Sequence, residues 1–185
     1  MRVLGIPGSL RRDSYNRKLL ESAAELLPGD VELVLWEGLK GIPPYDEDDD
    51  VEPAPAAVTD LRAAIAAADA VLFATPEYNS SLPGQLKNAL DWASRPFRTN
   101  ALRGKPVAVV GASTGVFGAV WAQAELRKVL ASIGARVVDG ELPVGRAAER
   151  FDETGRLADD EVRERLAELL DALLEPARPR LLVAA

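Results

Sequence analysis

"RVLGIPGSLRRDSYN" (residues 2–16) carries an apolar segment through a glycine into a dense cluster of hydroxyls, guanidiniums and an amide. Residues 2–7 read as a strand, and residues 15–27 as a helix with Leu19, Leu20, Ala23, Ala24 and Leu27 on one face. A strand that hands over through Gly8 to a helix gathers backbone N–H groups and the positive helix end around one small volume. Ser9, Arg11, Ser14 and Asn16 add side-chain donors to the same volume. The terminal phosphate of a mononucleotide suits such a socket. The competing reading is a hydrophilic turn in which Ser14 or Asp13 merely caps the helix and the arginines face water. The spacing is neither G-x-G-x-x-G nor G-x-x-x-x-G-K-[ST], so the dinucleotide fingerprint and the Walker loop are both missing.

Further along, strand-like runs alternate with helical patterns. Strands are expected at 31–37, 70–75, 105–112 and 135–139. Helices are expected at 58–68, within 76–94, at 118–133 and at 159–174. The central runs, "AVLFAT" (70–75) and "KPVAVVGA" (105–112), are continuously apolar rather than alternating. That pattern belongs to a parallel sheet covered by helices on both faces, so a doubly wound three-layer α/β sandwich is expected. Periodicity does not separate the two common strand orders, but in either one ligands sit at the carboxyl ends of the strands. The loops after strands one, three and four are therefore the candidate site.

The second of these loops opens "TPEYNSSLPG" (75–84). Pro76 imposes a bend, and Glu77, Tyr78 and Asn79 follow where a ligand edge is expected. The third, "GASTGVFG" (111–118), places three glycines and two hydroxyls between a buried strand and a helix. It suits either close backbone approach to a flat ligand or a sterically required turn. Trp92, at helical spacing, reads as core. A phosphate socket with two backbone-rich jaws for a ring matches flavin mononucleotide (FMN).

Bulk composition agrees. The 185 residues are 48% hydrophobic, enough for one domain with a real core, and the net charge of −7 speaks against duplex nucleic acid as a partner. No apolar run is long enough to span a membrane, and the short apolar start does not resemble a signal peptide, so a cytoplasmic setting is expected. Cysteine and histidine are both absent, which removes disulfides, thiolate chemistry and the usual neutral-pH base. An enzyme built this way leaves its chemistry to a cofactor. The acidic run "DEDDD" (46–50) lacks calcium-loop spacing and reads as a solvated loop edge.

The chain resembles the NADPH-dependent FMN reductase family of flavodoxin-like proteins, near its chromate, quinone and azo-dye reducing members. The resemblance is carried by "GSLRRDSYN" (8–16), "PEYNSSLPGQLKNALDWASR" (76–95) and "GKPVAVVGASTGVFG" (104–118), with "IPPYDEDDD" (42–50) matching the family's acidic loop. It implies a flavodoxin-like fold with a five-stranded parallel sheet of order 2-1-3-4-5. A single domain is expected over 1–176, with 177–185 a tail that is either a loose end or an arm packed on a partner. The resemblance implies noncovalent FMN, with phosphate contacts from Ser9, Arg11, Ser14 and Asn16 and with Tyr15 beside them. Pro76, Glu77, Tyr78 and Asn79 would lie against the isoalloxazine, and Ser113, Thr114 and Gly115 near its pyrimidine edge.

The same resemblance implies hydride transfer from NADPH or NADH to the flavin, then to a quinone, azo compound, metal oxyanion or flavin in a ping-pong cycle. It also implies a homodimer, or a homotetramer made of two such dimers, with Lys87 and Asp91 in interface or supporting roles. An FMN electron carrier that does not turn over pyridine nucleotide is the alternative. Many members carry a double glycine after the third loop, where this chain reads Gly118-Ala119-Val120-Trp121. Arg12, Arg95 and Arg98 are candidates for reading the 2′-phosphate that separates NADPH from NADH.

Overall fold

Alternate residues of the central strands face opposite sides of the sheet, and both sides are apolar. In the computed structural model, which describes residues 1–178, Leu4, Ile6, Val71, Phe73, Val107 and Val109 belong to one buried cluster. Val3, Ala70, Leu72, Ala74, Ala108 and Val110 belong to the other. Helices α2 (Ala56–Ala67), α3 (Gly84–Ala93) and α4 (Val120–Ile133) cover the first face. Helices α1 (Tyr15–Leu26) and α6 (Asp160–Leu174) cover the second, joined by Ala147 of the one-turn α5 (Ala147–Arg150). Two apolar faces demand an apolar residue at every strand position, which is why β3 (Ala70–Ala74) and β4 (Pro106–Ala112) show no alternation and are buried throughout.

The sheet order is β2-β1-β3-β4-β5 and every pairing is parallel, as the family resemblance implies. β1 is Arg2–Pro7. β2, at the edge, is shorter than expected, Glu32–Leu35. Trp36 ends it by turning inward, where its indole N–H donates to Asp60 at 2.7 Å.

The far edge departs from a simple fifth strand over 135–139. β5 covers only Arg136–Val137, paired with the start of β4, and a sixth strand, β6 (Leu142–Val144), pairs with the end of β4. Between them the Arg127 guanidinium takes the carbonyls of Val138 and Gly140, satisfying backbone that has left the ladder. This split matters for the site, because β6 delivers residues 143–147 to the third loop.

Among the described residues no helix is long and apolar enough to cross a membrane. The expected tail begins in a 3-10 turn, Glu175–Ala177, and otherwise lies almost wholly outside the described residues.

Candidate functional site

The three loops converge at the carboxyl ends of β1, β3 and β4. A cleft of about 150 Å³ is lined by Ser9, Arg11, Ser14, Tyr15 and Asn16 from the first loop. Pro76, Glu77 and Tyr78 line it from the second, and Ser113 and Thr114 from the third. Ten of the twelve residues singled out from the sequence thus share one cleft. Asn79 and Gly115 do not line it.

The first loop gathers donors that the described residues themselves leave unused. Ser14 caps α1, its Oγ accepting the Asn16 amide at 3.2 Å, and the first turn of the helix holds no acid. The Arg11 guanidinium donates to the Asp13 carbonyl at 2.9 Å and is otherwise exposed. Among the described residues the amides of Leu10, Arg12 and Asp13 have no partner within the chain. Asp13, the one acid here, is paired with Lys18 at 2.6 Å, and that hydrogen bond and charge hold its carboxyl below the usual range. Its charge is therefore opposed before it meets an incoming anion. Tyr15 is half-buried against Phe151, ring centroids 5.5 Å apart, a contact the sequence did not point to.

Asn16, expected as a phosphate contact, has a bracing role within the chain. Its Nδ2 donates to the Ala112 carbonyl at 2.9 Å and its Oδ1 accepts the Ala112 amide at 2.9 Å. The residue is 3% exposed, and both polar atoms of its amide help clamp the start of α1 to the end of β4. It brackets two loops from within the cleft lining.

Glu77 is likewise committed. Helix α4 begins after Gly118 and Ala119, whose φ values of 59° and 61° lie in the left-handed region, and so starts two residues later than periodicity suggests. Ala119 cannot cap it, and the Glu77 carboxylate takes over, accepting the amides of Trp121 at 3.0 Å and Ala122 at 3.1 Å. Glu125 of α4 reciprocates by accepting from Ser81 Oγ at 2.5 Å and the Leu82 amide at 3.3 Å. Tyr78 and Ser81 pair as a two-residue hairpin, with Asn79 at φ 53° and Ser80 at φ 59° across its tip. This places Asn79 on the exposed tip, away from the cleft lining.

The third loop is stitched to the segment after β6. The Ser113 amide donates to Val144, while the Ser113 and Gly115 carbonyls accept from Ala147 and Arg146 at 2.9 and 2.8 Å. The two segments touch backbone to backbone. A Cβ on Gly145 would overlap the Val116 carbonyl, and one on Gly118 would sit 2.5 Å from the Pro143 carbonyl carbon. The amides of Thr114, Gly115 and Val116 have no partner among the described residues. Residues 143–147 were missed from the sequence; the one signal available was Gly145, whose lack of a side chain permits the close approach. Around this loop an apolar rim stands exposed, comprising Tyr78, Val116, Phe117 and Trp121. Phe117 and Trp121 meet edge-on with centroids 5.0 Å apart.

This donor set fits FMN: a guanidinium, hydroxyls and unpaired amides at one end, and unpaired amides beside exposed apolar surface at the other. Residues 1–149 match the NADPH-dependent FMN reductase family. The chain belongs to that family. It is 46% identical over 174 residues to an NAD(P)H-dependent FMN reductase of Pseudomonas aeruginosa, covering 94% of this chain and 93% of that one. It is 36% identical over 181 residues to a 2-hydroxy-1,4-benzoquinone reductase of a Burkholderia species, covering 97% and 98%. Its fold superposes with a TM-score of 0.86 on the flavoenzyme NAD(P)H:(acceptor) oxidoreductase FerB from Paracoccus denitrificans, at 38% identity and 95% and 96% coverage. The family member is an FMN-dependent oxidoreductase that uses NAD(P)H to reduce an acceptor.

Proposed function

We propose that the enzyme works by a ping-pong cycle in which NAD(P)H and a quinone-like acceptor use one site in turn. FMN, when bound, supplies the chemistry by taking up hydride and giving it to the acceptor. The chain's own residues bind and orient. Arg11, Ser9, Ser14 and the amino end of α1 hold the phosphate, which fixes the ring at a distance. Pro76, Glu77, Tyr78 and Asn79 form the turn beside the ring, with Glu77 acting through α4 and Asn79 through the hairpin tip. Ser113, Thr114 and Gly115 lie at the pyrimidine edge, where negative charge accumulates on reduction, and the unpaired amides of Thr114 and Gly115 are the backbone donors there. No histidine or thiol is needed, which suits a chain that has neither.

The observation that carries this reading is the single cleft in which the phosphate loop and both ring loops meet. The exposed rim of Tyr78, Phe117 and Trp121 beside it supports closure of the acceptor pocket by a second copy of the chain. The test is anaerobic stopped-flow absorbance. NADPH alone bleaches the bound flavin, and benzoquinone added afterwards restores it, with parallel lines in double-reciprocal plots of turnover. A flavin that pyridine nucleotide leaves oxidised, yet that a separate reductase reduces, would instead mark an electron carrier.

A further inference from the structure

On the other side of the first loop lies a larger cleft, about 570 Å³, that the flavin site does not use. It opens between the ends of β1 and β2, and shares only Ser9 and Arg11 with the flavin cleft. Four cationic side chains, Arg11, Arg12, Arg17 and Lys40, face one carboxylate, Glu37. In a chain of net charge −7 this is a concentrated reversal of sign. Leu10, 51% exposed, and Leu39 supply apolar wall.

The pairing within the cleft decides what it takes. Where a dinucleotide's adenosine ribose sits beside the end of a second strand, a free carboxylate there accepts the 2′-hydroxyl and selects NAD, whereas nearby cations accommodate a 2′-phosphate. Here Glu37, two residues past β2, is bound by Arg17, which Glu21 also holds at 2.8 Å. Arg12 and Lys40 have no hydrogen-bond or ion-pair partner among the described residues. The other two arginines considered for this role are placed elsewhere. Arg95 donates to the Tyr45 hydroxyl at 3.0 Å and lies over its ring. Arg98 lies between α3 and β4, at the amino ends of the strands.

We infer that this cleft binds the adenosine 2′-phosphate of NADPH, with Arg12 and Lys40 as the residues that discriminate it from NADH. The inference rests on the reading above that a nicotinamide dinucleotide is the hydride donor. Arg12 engages the phosphate as a fork and Lys40 as a point charge, while Leu10 and Leu39 lie under the adenosine.

Two measurements on the FMN-loaded protein test it. In calorimetric titration, adenosine 2′,5′-bisphosphate binds roughly tenfold more tightly than 5′-AMP, and the Arg12→Gln/Lys40→Gln variant loses that advantage. In steady-state turnover the variant raises the NADPH KM roughly tenfold and leaves kcat and the NADH KM unchanged, while Arg98→Gln changes none of these. Equal affinity of the two adenosine probes for the unsubstituted protein, or a KM that shifts equally for both dinucleotides, would overturn the assignment. If neither dinucleotide is oxidised, the reductase reading falls, and the titration still decides what the cleft binds.

Discussion

Replacing Asn16 with alanine separates two roles that the residue's place in the first loop confuses. A phosphate ligand matters only when FMN is present; a bracket matters always. The Asn16 amide makes two hydrogen bonds of 2.9 Å to the Ala112 backbone at a position 3% exposed. Each bond contributes about 1 kcal/mol net, and truncation strands a buried N–H and a buried C=O at about 1–3 kcal/mol apiece. Partial relaxation or entry of water offsets some of that, so a loss of about 3–5 kcal/mol is expected. For a chain this long, about 4 kcal/mol lowers the melting temperature by about 10 °C. Urea denaturation of flavin-free and FMN-saturated protein is the assay, and the deficit is expected in both. Asn16→Asp keeps an acceptor for the Ala112 amide but sets a carboxylate oxygen against the carbonyl, so it does not restore stability. Flavin-free Asn16→Ala within about 1 kcal/mol of the parent, with the deficit confined to the loaded form, would refute the bracket.

Three further substitutions probe the surrounding parts. With Arg11 in its proposed role at the phosphate, Arg11→Ala should weaken FMN binding by roughly 30- to 150-fold, read by quenching of flavin fluorescence, while flavin-free stability stays within about 0.5 kcal/mol. Gly145→Ala drives a methyl into the Val116 carbonyl, so the third loop must shift. A cost of about 1–3 kcal/mol in thermal unfolding, with weakened FMN binding, is expected, and unaltered FMN affinity would show that the loop tolerates the shift. Asp159→Ala removes the cap of α6, where the carboxylate accepts the Val162 amide at 2.9 Å, and should cost about 1 kcal/mol at neutral pH. The Val162 amide first, and then Arg150, hold the Asp159 carboxyl below its ordinary 3.8. A folded-state value below the unfolded one stabilises fully above that pH and is lost as pH falls through the folded value. The gap between parent and variant should therefore narrow below pH 3.8 in acid unfolding curves.

What the sequence disclosed and what it hid divide along a physical line. The layers were legible because burial on both sheet faces writes itself as unbroken apolar runs such as Val107–Val110. The cleft was legible because strand ends, turn residues and helix starts are local features, and Trp92, fully buried, packs as its spacing indicated. Roles that depend on a distant partner were not legible. Asn16 sits among phosphate-binding residue types yet answers to Ala112, 96 positions away. Glu77 sits in a ring-facing turn yet caps a helix that begins 43 positions later, because Ala119 cannot. The far edge splits into two short strands because Arg127 can replace a ladder neighbour, which no strand propensity encodes.

These hidden partners have a common effect. Asn16 ties the first loop to the third, Glu77 and Glu125 tie the second loop to α4, which follows the third, and β6 backs the third loop with its own backbone. A protein that delegates its chemistry to a bound ring must hold that ring at a fixed distance from its tail, and each loop alone is a flexible turn. Cross-bracing by one buried amide and two carboxylates joins three turns into one frame, which is the preorganisation that a binding site needs before its ligand arrives. It follows that the residues least able to touch the flavin should be those whose loss most weakens the empty site.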